Sequence, residues 1–394
     1  MMKKMPVIGY RITMSDLLSG LKGFFSSSSK DEFRGILSKF IKSRHVCFTN
    51  SGISAFYIAL LALKKRSSRK EVILPAYTSP SLVVAVNKAG LKPVLCDISL
   101  EDFNMDADAL LKMISSETLC VVCVHMFGMP ARNIEQIKHN LPEDIFLLED
   151  CAQAMGSKIG DRLAGSFGDL AVFSFNRGKN LPAYGGGGIF TSSGELASEI
   201  EDIVNELRAP GLIYEISLFL KFICLSIVFR PVFYSLLYPF ISHFKEDKVP
   251  TDFSVEGYTS LQARLGTVLF KRFSESCMKR YENALTLIHG LRNTKGIILP
   301  EMQDNLIPAF NRLPIVFKNI ELREKVEKEF IKNGIEVSRL YFKPLHHIFD
   351  LGYDKEEFPN AVYLAERLLT LPIHPMVDEG TLKKMLDLIR GMPE

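Results

Sequence analysis

Lys179 closes the run Ser174-Phe175-Asn176-Arg177-Gly178-Lys179, which follows an apolar stretch and precedes the glycine tract Gly185 to Gly188. Asp150 stands in Leu147-Leu148-Glu149-Asp150-Cys151-Ala152-Gln153-Ala154, at the mouth of another apolar stretch. An amine at the end of one buried strand can form a Schiff base with an aldehyde. A carboxylate at the end of a second can hold a pyridine nitrogen protonated, so that the ring accepts electrons. Those are the two contacts that pyridoxal phosphate chemistry requires. A lone lysine beside glycines is usually solvated, and a lone aspartate after a strand is usually a helix cap. Together they decide for the chemistry.

These residues need a scaffold, and the pattern from His45 onward supplies one. Short apolar runs at 45–49, 72–74, 93–96, 119–124 and 145–149 read as strands. Helical patterns at 54–63, 80–89, 106–114 and 133–139 lie between them. Strands alternating with helices predict an α/β fold with a mostly parallel sheet covered on both faces. Ligands in such sheets bind at the carboxyl ends of the strands, where Asp150 and Lys179 fall. Further helices are expected at 195–208, 261–291, 320–333 and 379–389, and a strand at 312–317. The resulting division is an irregular segment over 1–40, a large cofactor-binding domain over 41–291, and a small C-terminal α/β domain over 292–394.

The 394 residues carry a formal charge of only +3, so no basic field points to nucleic acid. The seven cysteines are scattered and no signal-peptide pattern opens the chain, which predicts a reduced, cytoplasmic protein. Cys120 and Cys123 form a C-x-x-C inside an apolar run, but no second pair follows. They read as core cysteines rather than zinc ligands, and no metal is expected. The glycine tract matches neither G-x-G-x-x-G nor G-x-x-x-x-G-K-[ST], so it does not read as a nucleotide loop.

The two runs above, with Gly168-Asp169-Leu-Ala-Val-Phe-Ser-Phe, resemble the DegT/DnrJ/EryC1/StrS family of sugar aminotransferases, PLP-dependent enzymes of fold type I. Ile73-Leu-Pro-Ala-Tyr-Thr78, Val124-His-Met-Phe-Gly-Met-Pro130, Tyr341-Phe-Lys-Pro-Leu-His346 and Leu369-Thr-Leu-Pro-Ile-His-Pro375 follow in the same order as in that family. The resemblance implies that Lys179 forms the Schiff base and Asp150 meets the pyridinium. It places Gln153 beside the ring hydroxyl and Ser174 on the phosphate. Gly52, Ile53 and Ser54 occupy the family's phosphate-binding turn, at a helix N-terminus suited to anions. Tyr77, Tyr341 and His346 are candidate substrate contacts. The implied reaction moves an amino group from an amino acid, most often L-glutamate, to a keto-sugar, nucleotide-linked, in surface polysaccharide or glycoconjugate biosynthesis. A homodimer is also implied.

The chain departs from the family at several points. Ile53 replaces a threonine, Ser79 stands where an aromatic residue often stacks on the ring, and Gly186 replaces a common glutamate. The family's Gly-x-Asn-x-Arg loop, which reaches the partner's cofactor, should precede Leu261, but Val255-Glu256-Gly257-Tyr258 stands there. These losses motivate a rival reading as a non-catalytic scaffold; retention of Lys179 and Asp150 argues against it.

Leu212 to Ile241 is rich in phenylalanine, leucine and isoleucine, and is an insertion relative to the family. As one helix it would run ~45 Å, longer than a bilayer core of ~30 Å. Arg230-Pro231 makes one straight span a poor fit. Two short helices joined there are expected, either lying in a membrane interface beside a lipid-linked or membrane-delivered substrate, or buried in a core or dimer contact.

Overall fold

Parallel strands need crossovers long enough to bring the chain back, and the helical runs between the apolar stretches provide them. The computed structural model describes residues 4–25, 28–228, 233–236 and 249–392. Its main sheet has seven strands in the order β1-β9-β8-β5-β4-β2-β3. These are β1 (His45–Thr49), β2 (Glu71–Pro75), β3 (Lys92–Cys96), β4 (Thr118–Val124), β5 (Phe146–Asp150), β8 (Leu170–Ser174) and β9 (Gly187–Thr191). Between them in sequence lie β6 (Lys158–Ile159) and β7 (Arg162–Leu163), which join β11 (Leu306–Ile307) in a small sheet. Every neighbouring pair in the main sheet is parallel except those made by β9, which runs against both β1 and β8. The carboxyl ends Thr49, Pro75, Val124, Asp150 and Ser174 therefore share one edge, where β9 begins at Gly187.

Successive residues of a strand face opposite sides of its sheet. Cys120, Val122 and Val124 of β4 accordingly pack into one apolar cluster, and Val121 and Cys123 into the other. The two thiols of the C-x-x-C thus point to opposite faces, which suits core residues and not a shared metal. Helices α3 (Gly52–Arg66), α4 (Pro80–Lys88), α5 (Ala107–Met113), α6 (Ile134–Asn140) and α7 (Gly194–Asn205) cover the sheet.

Two expectations about helices are corrected. The segment before β1 is not irregular, because it holds α1 (Met14–Leu21) and α2 (Ser29–Ile41). The Thr13 side chain caps the Asp16 amide while the Asp16 carboxylate accepts from the Thr13 amide, which starts α1. In α2, Phe33, Leu37 and Ile41 recur every fourth residue and are buried; each such burial contributes about 1.5–3 kcal/mol. The single helix expected over 261–291 is two, α9 (Ser260–Phe270) and α10 (Phe273–Leu291). At the break, Arg272 pairs with Asp16 at 2.5 Å, and Phe270 and Phe273 both pack against Phe40. Tertiary contacts outweigh the continuous helical periodicity there.

The C-terminal part forms an antiparallel sheet of β10 (Ile297–Ile298), β12 (Leu313–Phe317) and β13 (Leu368–Leu371). Its helices are α11 (Ile320–Lys332), α12 (Pro359–Arg367) and α13 (Glu379–Arg390). One apolar core runs from Ala55 and Val83 beside the large sheet through to Ile315 and Phe330 here.

Of the apolar stretch, α8 (Leu212–Val228) is described, and the joint expected at Arg230-Pro231 lies outside the described residues. Leu218 and Phe222 are buried with Leu17 of α1 and Leu261 and Leu265 of α9. The other side of α8 is open: Ile213 is 86% exposed and Leu220 60%. Among the described residues, no helix is long and apolar enough to cross a membrane.

Candidate active site

The parallel order of β5 and β8 puts Asp150 and Ser174 on the same sheet edge, and the turn after Ser174 brings Lys179 back toward Asp150. Gly178 makes that turn with φ 81°, a conformation side chains disfavour, and the Ile8 side chain closes over it. Asn180 then anchors the turn through Nδ2, which donates to the carbonyls of Ala309 (2.6 Å) and Met155 (3.2 Å).

Burial pulls the Lys179 amine down to about 8; Asp150 opposes that shift and Arg312 adds to it. Asp150 is 8% exposed, and burial raises its pKa above the ordinary carboxylate range, against the Ala152 amide, Lys179 and His125. The two feel each other electrostatically but form no ion pair. One Asp150 oxygen accepts from the Ala152 amide at 2.9 Å. Its other oxygen has no donor among the described residues.

Gln153 lies on the same rim. Its Oε1 accepts from the Phe127 amide (3.2 Å) and from Asn311 Nδ2 (3.4 Å), and its Nε2 reaches the Tyr341 hydroxyl at 3.5 Å. Burial pushes the Tyr341 phenol up to about 12, and Asp150 adds to that shift. Tyr341 is therefore part of this group. Tyr77 is beside it but closed off: it is fully buried and its hydroxyl donates to the carbonyls of Arg339 and Tyr341, both at 3.2 Å. It holds the Tyr341 segment against the large sheet. His346 is not brought to the group. It packs on His347 and Phe358, with Nε2 on the Lys355 carbonyl, and burial lowers its pKa.

The turn that opens α3 is built by close backbone approach. A Cβ at Gly52 would fall 2.7 Å from the Cβ of Ser174, and one at Gly187 would fall 2.4 Å from the Ser51 carbonyl oxygen. Glycine at both positions lets the start of α3 sit against Ser174. Ser54 faces elsewhere: its amide donates to Ser51 Oγ, and its hydroxyl donates to the Ser254 carbonyl at 2.8 Å. That leaves the first amides of α3, at Gly52 and Ile53, without intrahelical acceptors.

His125, Glu149 and Cys151 come within 4.8 Å of one another, an arrangement that could suggest a metal. Protein hydrogen bonds account for it. His125 Nδ1 accepts from the Ala131 amide, so Nε2 carries the proton and donates to Glu149 at 3.0 Å. Glu149 also accepts from the amides of Gly165, Phe167 and Gly168, which pins the loop before β8. Asn180, Asn311 and Arg312 also border the Lys179–Asp150 group, and little in the sequence marks them. The first two place a carboxamide one residue past Lys179 and another just before the apolar run of β12, a weak signal without coordinates.

The model of the DegT/DnrJ/EryC1/StrS aminotransferase family matches residues 20–215 and 256–390. The chain belongs to this family. It is a pyridoxal phosphate-dependent aminotransferase, and the two matched stretches leave out 216–255, which holds most of α8. It is 30% identical over 374 residues to GDP-perosamine synthase of Vibrio cholerae, covering 94% of this chain and 92% of that one. It is 28% identical to the lipopolysaccharide biosynthesis protein RfbH of Salmonella typhimurium, over 85% of this chain and 77% of that one. The sugar aminotransferase CalS13 of Micromonospora echinospora has the same fold, with a TM-score of 0.81 at 18% identity over 98% of this chain and 99% of that one.

The residues present fit the family's cofactor. Pyridoxal phosphate needs an amine, an anion at its ring nitrogen and an anion site for its phosphate. Lys179 offers an amine that burial lowers to about 8. Asp150, 8% exposed as a residue, offers an oxygen with no donor among the described residues. Helix α3 offers first-turn amides without intrahelical acceptors at the positive end of its dipole, with Ser174 against them.

Proposed function

We propose that this aminotransferase carries an amino group from an amino acid, L-glutamate first among candidates, to a nucleotide-linked keto-sugar used in surface polysaccharide or glycoconjugate synthesis. Support for the acceptor comes from the relatives, above all GDP-perosamine synthase at 30% identity over nearly the whole chain. Support for the chemistry comes from the Lys179–Asp150 pair.

When bound, the cofactor supplies an aldehyde for Lys179 and a ring that takes up electrons from the donor's Cα. Lys179 Nζ first holds the cofactor and, once displaced by the donor amine, takes the proton from the donor's Cα. Its depressed pKa suits both tasks, because a neutral fraction is present near pH 7. Asp150 holds a proton at the ring nitrogen through the oxygen that has no protein donor. Gln153 meets the ring hydroxyl, and Ser174 with the Gly52 and Ile53 amides binds the phosphate. Tyr341 is linked to Gln153, and its phenol lies close enough to Asp150 to feel its charge. Homodimer formation is proposed on the family resemblance. The test of function is a screen of nucleotide-linked keto-sugars with the amino acid that bleaches the cofactor band. Amination of none of them by a donor-responsive enzyme would defeat the acceptor assignment.

A second reading concerns how the acceptor is delivered. Ile213, Ile216, Leu220, Cys224 and Ile227 form an exposed stripe along α8, and Met14, Leu18 and Leu21 are exposed on the neighbouring α1. Exposed Lys22 and Lys221 stand beside this face. An apolar helical stripe with basic residues beside it suits the surface of an anionic bilayer, which would make the enzyme membrane-peripheral and its substrate lipid-linked or membrane-delivered. Flotation with anionic liposomes that is lost in Leu18→Ser/Ile213→Ser/Leu220→Ser would support it. A wild-type protein that stays unbound, paired with a variant that falls to monomer, would assign the stripe to a second copy instead.

A further inference from the structure

Arg312 is a cation next to the proposed chemistry that pairs with no described residue. It directly precedes β12, and the backbone around it is fixed on several sides. Asn180 Nδ2 donates to the Ala309 carbonyl (2.6 Å), the Asn311 amide donates to the Phe127 carbonyl (3.1 Å), and Arg280 Nη1 donates to the Asn311 carbonyl (2.9 Å). Asn311 Nδ2 also touches Gln153 at 3.4 Å. The guanidinium is thereby placed at the site's edge. Its surroundings are two phenols, Tyr77 and Tyr341, and two cations, Arg280 and Lys179, with no carboxylate among them. Its Nε is buried without an acceptor, while part of the residue stays open. Burial lowers its pKa in the direction expected for a cation lacking a counter-charge.

A buried arginine without an anion is unfavourable in the resting protein. Lys179, Arg312 and Arg280 stand against Asp150 alone, and Asp150 is assigned to the ring nitrogen, so the site keeps a positive surplus that an anionic substrate group would offset. We propose that Arg312 anchors a carboxylate of the amino donor, gripping it through the planar guanidinium fork and so setting the donor's Cα beside Lys179. Arginine matches a carboxylate with two parallel hydrogen bonds, which fixes direction as well as position. The proposal rests on the aminotransferase reading of the site. A phosphate of the acceptor is the other anion that could meet the same fork.

The experiment uses holoenzyme of wild type, Arg312→Gln and Arg312→Lys. A cofactor band of normal intensity in all three would separate this question from cofactor binding. Half-reactions are then followed by loss of that band, with the amino acid wild type accepts and with butylamine, a primary amine lacking a carboxylate. Glutarate binding is measured by calorimetry in parallel, with inorganic phosphate as competitor. Expected for Arg312→Gln is a half-saturating amino acid concentration about 100-fold higher, with glutarate affinity falling alike. Reaction with butylamine should stay within about 3-fold, since it never engages a carboxylate anchor. Arg312→Lys should restore part of the loss by keeping the charge.

Equal losses with both donors would overturn the proposal, as would unchanged glutarate binding, or an effect confined to the acceptor's KM. If Arg312→Gln fails to fold, Arg312→Lys decides: unaltered donor and glutarate affinity would overturn the proposal. A wild type without a cofactor band would instead count against the function itself.

Discussion

The ring of Tyr258 fills the space into which a side chain at Gly186 would project: a Cβ built there lies 2.1 Å from Cε2. The two positions are separate departures from the family in sequence and one packing arrangement in the fold. Tyr258 is 2% exposed, packed beside Phe48 at 5.1 Å and Phe33 at 6.5 Å. Gly186 has φ 98° and lies in the tract that lets α3 approach Ser174. The segment standing where the resemblance places the Gly-x-Asn-x-Arg loop therefore packs Tyr258 inward, against the start of β9 beside the turn that opens α3.

Gly186→Ala combines a steric clash with a disfavoured backbone, and a loss of about 2–4 kcal/mol is expected in urea unfolding. Tyr258→Ala in the same chain should recover part of the clash. The double variant is predicted to cost at least about 1 kcal/mol less than the two single losses combined. Additivity within about 0.5 kcal/mol would show that the ring does not set the requirement for glycine.

Tyr258→Phe tests a smaller point. The buried hydroxyl has no hydrogen-bond partner among the described residues, so removing it deletes a desolvated polar group. Stability unchanged or raised by about 1 kcal/mol is expected from thermal unfolding, and a fall of that size would contradict the geometry.

Lys179 gives a pH prediction for cofactor capture by apoprotein. Burial lowers the amine to about 8, so the reactive neutral fraction rises as pH increases toward that value. Capture should accelerate about tenfold per pH unit from pH 6 to 7.5 and level off above pH 8, rather than continuing to rise toward the ordinary lysine value. Stopped-flow absorbance at several pH values measures it.

Asp150→Asn should retain cofactor, because lysine and phosphate contacts remain, yet slow the donor half-reaction by about 100-fold or more. The amide cannot hold the ring nitrogen protonated as a carboxylate does. An unaltered rate in a spectroscopically loaded variant would remove Asp150 from its assigned place.

Much of the scaffold is legible in sequence because its signal is local. The apolar run at 45–49 marks β1, which spans His45–Thr49, since apolar runs bounded by turn residues mark buried strands directly. Likewise, Asp150 can be singled out because it closes such a run, and Lys179 because it follows one closely, just before the glycine tract. What fails to show is set by contacts distant in sequence. Tyr77 carries no mark that its hydroxyl is taken by the Arg339 and Tyr341 carbonyls. Nor does Ser54 reveal that Ser254 holds its hydroxyl, or Arg312 that the fold brings it beside Lys179. The break after Phe270 is equally silent, because Asp16 and Phe40, which favour it, lie far upstream.

The central claim is that Lys179 carries the cofactor. Purified protein saturated with pyridoxal phosphate is reduced with borohydride, digested, and the modified peptide identified by mass spectrometry. The account predicts a single pyridoxyl group on the peptide containing Lys179, absent in Lys179→Ala. A modification at another lysine, or none after saturation, would contradict it.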